Sequence, residues 1–135
     1  AGVYHTCAIV EDTHKAVCWG VDANGQATPP DGMEFVQITA GVYHTCAIVE
    51  DTHKAVCWGR DANNGESAIL NFGQATPPDD MEFVQIAAGF AHTCGIVKGA
   101  GEVRCWGMGE DAGFHENDFY DFDQAVVPDD LEFGL

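Results

Sequence analysis

The sequence predicts an all-β chain of three tandem units, each a small antiparallel sheet with its own internal disulfide. Three observations carry that expectation. A twenty-residue block, AGVYHTCAIVEDTHKAVCWG, fills positions 1–20 and recurs unchanged at 40–59. Six cysteines stand at 7, 18, 46, 57, 94 and 105, one pair per unit at a constant spacing of eleven. Short runs of β-branched and aromatic residues alternate with turn formers, and no long apolar period of 3.6 residues interrupts them.

Self-similarity fixes the unit boundaries. The block QATPPD at 26–31 returns at 74–79 and runs on into MEFVQI both times. A looser third copy reads AGFAHTCGIV at 88–97, VRCWG at 103–107 and QAVVPDD at 124–130. The units are therefore 1–39, 40–87 and 88–135. Their lengths differ in one place, between Trp-Gly and Gln-Ala, where unit two carries 60–73 and unit three 108–123. Insertions confined to one point of each repeat map to loops on one face of a stack, where repeat proteins vary their contacts.

Within unit one, Tyr4 to Val10 reads as a first strand and Ala16 to Trp19 as a second, with Glu11-Asp12-Thr13-His14 as the turn. Unit three places Gly99-Ala100-Gly101 at that turn, which suits a tight reversal and disfavours a helix. A third strand is expected over 33–38, with Met33, Phe35 and Gln37 alternating against Glu34, Val36 and Ile38. Folding the hairpin about its turn sets Val10 opposite Lys15, Ile9 opposite Ala16 and Cys7 opposite Cys18. Directly opposed residues of an antiparallel pair have Cα atoms about 4.5–5.5 Å apart, within the reach of a disulfide. The expected bonds are Cys7–Cys18, Cys46–Cys57 and Cys94–Cys105, each contributing roughly 2–3 kcal/mol by restricting the unfolded chain. A zinc set of His5, Cys7, His14 and Cys18 is the competing reading, since all four are tetrahedral-site ligand types. Unit three argues against it, because Gly101 stands where His14 does.

The totals bound the function. Five basic residues against 22 acidic ones give the 135-residue chain a net charge of -17. Such a surface repels nucleic-acid phosphates and attracts cations or basic proteins. No stretch reaches the roughly 18 apolar residues of a membrane helix. The opening on Ala1 rather than Met is the expectation for a mature form or a piece of a longer chain.

Candidate chemistry is sparse, and no cofactor is expected. His5, His44 and His92 recur at one repeat position without a carboxylate or serine at fixed spacing, so they read as packed histidines bonding backbone. Trp19, Trp58 and Trp106 read as packing between units rather than a sugar-stacking platform. The single serine, Ser67, gives no support to a serine nucleophile. Asp61, Asn63 and Glu66 are calcium candidates in an oxygen-rich loop, though the order of an EF-hand is missing and a solvated acidic loop is the plainer reading. No Asn-x-Ser/Thr sequon is present. Thr28, Pro29, Pro30, Thr76, Pro77 and Pro78 are candidates for O-linked or hydroxyproline-linked sugar, or else rigid extended connectors.

The blocks AGxxHTCAI, VCWG and Gly25-Gln26 resemble the repeat of the regulator of chromosome condensation family. That resemblance implies blades of a β-propeller, usually seven to a ring. The cysteine-bearing form is similar to the ectodomain repeats of crinkly-type plant receptor kinases, notably at Cys94-Gly95-Ile96 and Cys105-Trp106-Gly107. It departs from the family where Gly25-Gln26-Ala27-Thr28-Pro29-Pro30 replaces the usual Gly-Gln-Leu-Gly turn. With three units rather than seven, the founder's nucleotide-exchange role is not expected. The expectation is a non-enzymatic extracellular structural protein, a subunit of a fibre or cell-surface assembly whose partners are further copies of itself or further repeats, with glycans or calcium as other candidates. The alternative is a ligand- or protein-binding propeller fragment of receptor-ectodomain or inhibitor type. Non-reducing mass spectrometry should give a mass lower by six hydrogens than the reduced chain; the reduced mass would remove both the disulfides and the extracellular expectation.

Overall fold

The computed structural model describes residues 1–60 and 74–107. Eight strands run in order through them: β1 (His5–Ile9), β2 (Ala16–Gly20), β3 (Phe35–Ala40), β4 (His44–Val49), β5 (Ala55–Gly59), β6 (Phe83–Ala88), β7 (His92–Val97) and β8 (Val103–Gly107). No helix occurs among the described residues. The strands form three antiparallel sheets, ordered β1-β2, β3-β4-β5 and β6-β7-β8.

The hairpin register is the one the turn dictates. Ile9 opposes Ala16 and Cys7 opposes Cys18, with the same pairing at Cys46 and Cys57 and at Cys94 and Cys105. The backbone amide of Val10 donates to the carbonyl of Lys15 at 2.9 Å, closing the ladder at the turn. All three disulfides are present, with Cα separations of 4.1, 4.1 and 4.0 Å.

Sheet and sequence repeat are out of phase. The strand β3 ends the first sequence repeat, yet it pairs with β4 of the second; β6 likewise pairs with β7. One blade-like sheet is thus a MEFVQI strand followed by the next hairpin. The simple alternation expected over 33–38 is broken by a bulge between Phe35 and Gln37, and β6 repeats it between Phe83 and Gln85. The extra residue, Val36 or Val84, is thrown outward. Phe35 and Ile38 then face one core, while Gln37 leaves it.

Two apolar layers bind the three sheets. Phe35, Ala47 and Trp58 pack with Ile9, Ala16 and Cys18 between the first and second sheets. Cys46, Ile48 and Ala55 pack with Phe83, Ile86 and Trp106 between the second and third. Polar contacts fix the stacking angle. The Gln37 amide both donates to the Ile86 carbonyl (2.7 Å) and accepts from the Ile86 amide (3.0 Å), and the Ala88 amide donates to the Thr39 hydroxyl (3.0 Å). At the far end, the carbonyls of His14 and His53 accept from the amides of Phe35 (2.8 Å) and Phe83 (2.7 Å). The first two hairpin turns therefore each hold the first strand of the following sheet.

That turn has a conformational cost. His14 and His53 adopt φ of 55° and 57°, and the matching residue of the third unit, Gly101, has φ of 67°. An L-residue in the left-handed region loses roughly 1–2 kcal/mol to contact between Cβ and backbone, a cost glycine escapes. The loss of histidine from the third turn has a backbone explanation and needs no metal. We expect His53→Gly to raise unfolding stability by roughly 0.5–1 kcal/mol and His53→Val to lower it by about 1 kcal/mol or more. Urea melts of the two variants check this; a less stable glycine variant would refute the strain argument.

Candidate functional site

The Ala-Gly-x segments that open each repeat converge. Residues 1–3, 40–42 and 88–90 line an open cleft of about 390 Å³ at one end of the stacked sheets. Its walls approach closely because each contains a glycine. A Cβ on Gly41 would overlap the His44 ring and lie 2.6 Å from the Gly89 carbonyl oxygen, and one on Gly2 would overlap the Gly41 carbonyl oxygen. The Ala-Gly step is thus set by the imidazole above it and the neighbouring backbone beside it.

The imidazoles tie one sheet to the next. His5 Nε2 lies 2.6 Å from the Thr45 hydroxyl, and His44 Nε2 lies 2.8 Å from the Thr93 hydroxyl. The Thr45 hydroxyl donates to the Gln26 carbonyl at 2.8 Å, so its lone pair accepts from His5, whose proton is on Nε2. The same Gln26 carbonyl accepts from the Trp58 indole at 3.1 Å, and the Gln74 carbonyl accepts from Trp106 at 3.1 Å. His5 and His44 bond a hydroxyl of the following sheet, and each also meets the backbone of that sheet, at His44 and at His92. Burial holds all three below the usual imidazole range, helped at His44 by the neighbouring His92 and His5; His44 falls to about 4. They are neutral at pH 7, which suits a structural donor.

The surface beside the cleft is aromatic. Tyr4 and Tyr43 stack with ring centroids 5.8 Å apart and planes at 30°, and Phe90 meets Tyr43 edge-on at 6.3 Å. The Arg60 guanidinium lies 4.9 Å from the Tyr43 centroid, while its Nε donates to Asn24 Oδ1 at 3.1 Å. Val3, Tyr4 and Phe90 are 68%, 49% and 46% exposed, a contiguous apolar rim on a strongly acidic chain. These rings passed in the sequence as generic β-formers. Their signal was position, since Val3, Val42 and Phe90 match one another across the repeats, as do Tyr4 and Tyr43.

The other candidates fall elsewhere. Trp58 and Trp106 are buried, at 9% and 1% exposure, and pack on Phe35 and Phe83 at 5.9 and 5.5 Å. Trp19 is 55% exposed. His14 does not approach the disulfide; its Nδ1 lies 3.0 Å from Glu50, and that hydrogen bond raises the imidazole and lowers the carboxyl from their usual ranges. No group of three or more His, Cys, Asp or Glu side chains converges among the described residues. The calcium candidates Asp61, Asn63 and Glu66, with Ser67 and the loop 108–123, lie outside the described residues. Thr28 is exposed, and its hydroxyl donates to Asp22 at 2.5 Å.

Stacked sheets of two and three strands, a disulfide across each hairpin and a His–Thr bond between successive sheets define a blade-repeat protein. Residues 35–66 and 83–111 match the Regulator of chromosome condensation (RCC1) repeat. The fold is similar to the entire ectodomain of the Physcomitrella patens receptor kinase CR4, at 34% identity and a TM-score of 0.66 over 79% of this chain and 28% of that one. It is similar also to the CRINKLY WD40 ectodomain of the Arabidopsis thaliana receptor kinase ACR4, at 28% identity and a TM-score of 0.62 over 84% and 36%. Prp20p from Saccharomyces cerevisiae, described with its binding to Gsp1p and histones, shares the fold at 21% identity and a TM-score of 0.60 over 82% and 32%. The chain spans about a third of the length of these structures. No curated protein sequence matches it.

The buried histidines make stability depend on pH with a definite sign. A folded pKa below the unfolded value means that the unfolded chain binds protons first, so this contribution is full above about pH 6.5 and is lost as pH falls toward 4. His14, raised and exposed, acts weakly the other way: its contribution is present below about pH 6.5 and lost as pH rises through its higher folded value. Protonating the many carboxylates also relieves self-repulsion, so the informative quantity is a difference. We expect wild-type stability to fall relative to His44→Gln between pH 6.5 and 4.5 by about 1–3 kcal/mol. Parallel curves for the two proteins would contradict the buried neutral state.

Proposed function

We propose that this chain is a non-enzymatic binding module of an extracellular protein, and that it engages a polypeptide ligand at the aromatic rim formed by Val3, Tyr4, Tyr43 and Phe90. The observation that carries this reading is the rim itself. Val3 and Tyr4 of the first repeat and Phe90 of the third stay exposed beside an open cleft, joined through the half-buried Tyr43, while Val42 at the matching position of the second repeat is buried. Exposed contiguous apolar surface is the usual mark of an interaction site, and tyrosine and phenylalanine give large contact area at low entropic cost. Three disulfides favour an oxidising compartment, and the similarity to two receptor-kinase ectodomains points the same way.

The fibre reading gains nothing from these observations. Its motive was identity of the exposed turn Glu11-Asp12-Thr13-His14 with its copy at 50–53. Packing within the chain accounts for part of that identity, because each turn's histidine carbonyl holds the next sheet's first strand. Panning a displayed random-peptide library against the chain, then mapping the selected peptide by amide exchange, tests the binding role. We expect protection over 1–5, 41–44 and 88–92, and at least a tenfold loss of affinity in Tyr4→Ala/Phe90→Ala. Binders that map to the outer hairpins and ignore that double substitution would exclude the rim.

A further inference from the structure

We propose that the exposed ring of Tyr4 is a receiving site for an arginine or lysine side chain of a partner polypeptide. This rests on the rim-binding reading and adds the chemistry of the ligand. The second repeat already builds such a site with a residue of its own. The Arg60 guanidinium covers Tyr43 at 4.9 Å, the distance at which a cation is drawn to the negative face of an aromatic ring.

The first repeat has the same frame and lacks the cation. Residues 1–20 and 40–59 are identical, and the first position at which the two copies part is Val21 against Arg60. The backbone bonding is the same there: the Val21 amide donates to the Tyr4 carbonyl at 2.9 Å, as the Arg60 amide donates to that of Tyr43 at 2.8 Å. Val21 carries no charge and is itself 46% exposed, so it leaves the Tyr4 ring open. No other basic residue of the chain takes Arg60's place. Lys15, Lys54 and Lys98 sit in hairpin turns and Arg104 in β8.

The electrostatic setting favours a cation over a neutral or anionic group. Asp22 follows Val21, and its carboxylate is fixed by the Ala27 amide (2.8 Å) and the Thr28 hydroxyl (2.5 Å). It stands near enough to His5, the residue after Tyr4, to pull that imidazole upward against the larger effects of burial and of the Ala1 ammonium. Around both lies a chain of net charge -17. A guanidinium or ammonium group here gains the ring face, a carboxylate and the overall field together. Arginine suits it better than lysine, since its plane stacks and it sheds water more easily.

The second repeat also supplies the test. Val21→Arg should place a guanidinium over Tyr4 from within the chain, as Arg60 does over Tyr43, and so close the site. Peptides selected from a displayed random library should be enriched in arginine and lysine. For a synthetic peptide of the best selected sequence, anisotropy titrations should show a loss of about fivefold or more in Val21→Arg and in Tyr4→Ala, with Tyr4→Phe within about twofold of wild type. Urea melts matching wild type show that the variants are folded. Selected peptides that dock on the rim without a basic residue, or that bind Val21→Arg as tightly as wild type, overturn the cation site and leave the rim reading standing. Peptides that dock away from the rim overturn both.

Discussion

The bond from one sheet's imidazole to the next sheet's threonine is the constraint on which the stacking depends. It requires a neutral ring with its proton on Nε2, a hydroxyl that accepts from that ring while donating to a Gln carbonyl, and a glycine beneath the ring. None of the three is replaceable alone. A side chain at Gly41 would displace His44, and a threonine without its histidine would leave a buried hydroxyl short of a partner, at a cost of about 1–3 kcal/mol. The Trp58 indole shares the Gln26 carbonyl, so the apolar layer under β5 is anchored to the same point. The motif letters Ala-Gly, His-Thr, Trp-Gly and Gly-Gln are therefore one inter-sheet device, spread over two successive repeats.

That distribution explains what was legible in the sequence and what was not. The hairpin and its disulfide are local: eleven residues, one turn and a fixed pleat put Cys7 against Cys18 whatever lies beyond. The sheet to which Phe35 belongs is not local. Period-two reading places Phe35 and Gln37 on one face, but the bulge at Val36 separates them, and only the neighbouring hairpin reveals which side is the core. The histidines were conspicuous by recurrence, yet their partners lie 40 and 49 residues away on another sheet. The rim was hidden for a different reason. Tyrosine and phenylalanine in a β-rich chain are expected inside, and only the convergence of three repeats at one end keeps Tyr4 and Phe90 outside.

The two identical blocks show how far context governs a fixed sequence. Trp58 is 9% exposed and Trp19 is 55% exposed, although each follows the same eighteen residues. Trp58 has Phe35 against its ring and the Gln26 carbonyl on its indole nitrogen, both supplied by residues between the two blocks. Electrostatics diverge in the same way. His14 meets Glu50 across the first interface, whereas the residue of the third unit that matches Glu50 is Lys98. His14 is thus held toward its charged form by a neighbour that His53 lacks in the next repeat.

Identity between repeats therefore preserves the frame, and difference between them assigns the surface. The hairpin, its disulfide and the histidine are held constant because each must fit the sheet before it and the sheet after it. The first free position after the Trp-Gly step is released from that double fit: its backbone amide is committed to the strand, while its side chain projects over the preceding ring. One copy uses that freedom to cover its tyrosine with Arg60, further fixed by Asn24 from the connection before it. The other leaves Val21 there and Tyr4 bare. In a stack whose interior chemistry is neutral, with its histidines buried and uncharged, recognition by charge has to be set at such rim positions. A single residue after Trp-Gly is enough to decide whether a blade closes its own aromatic face or offers it.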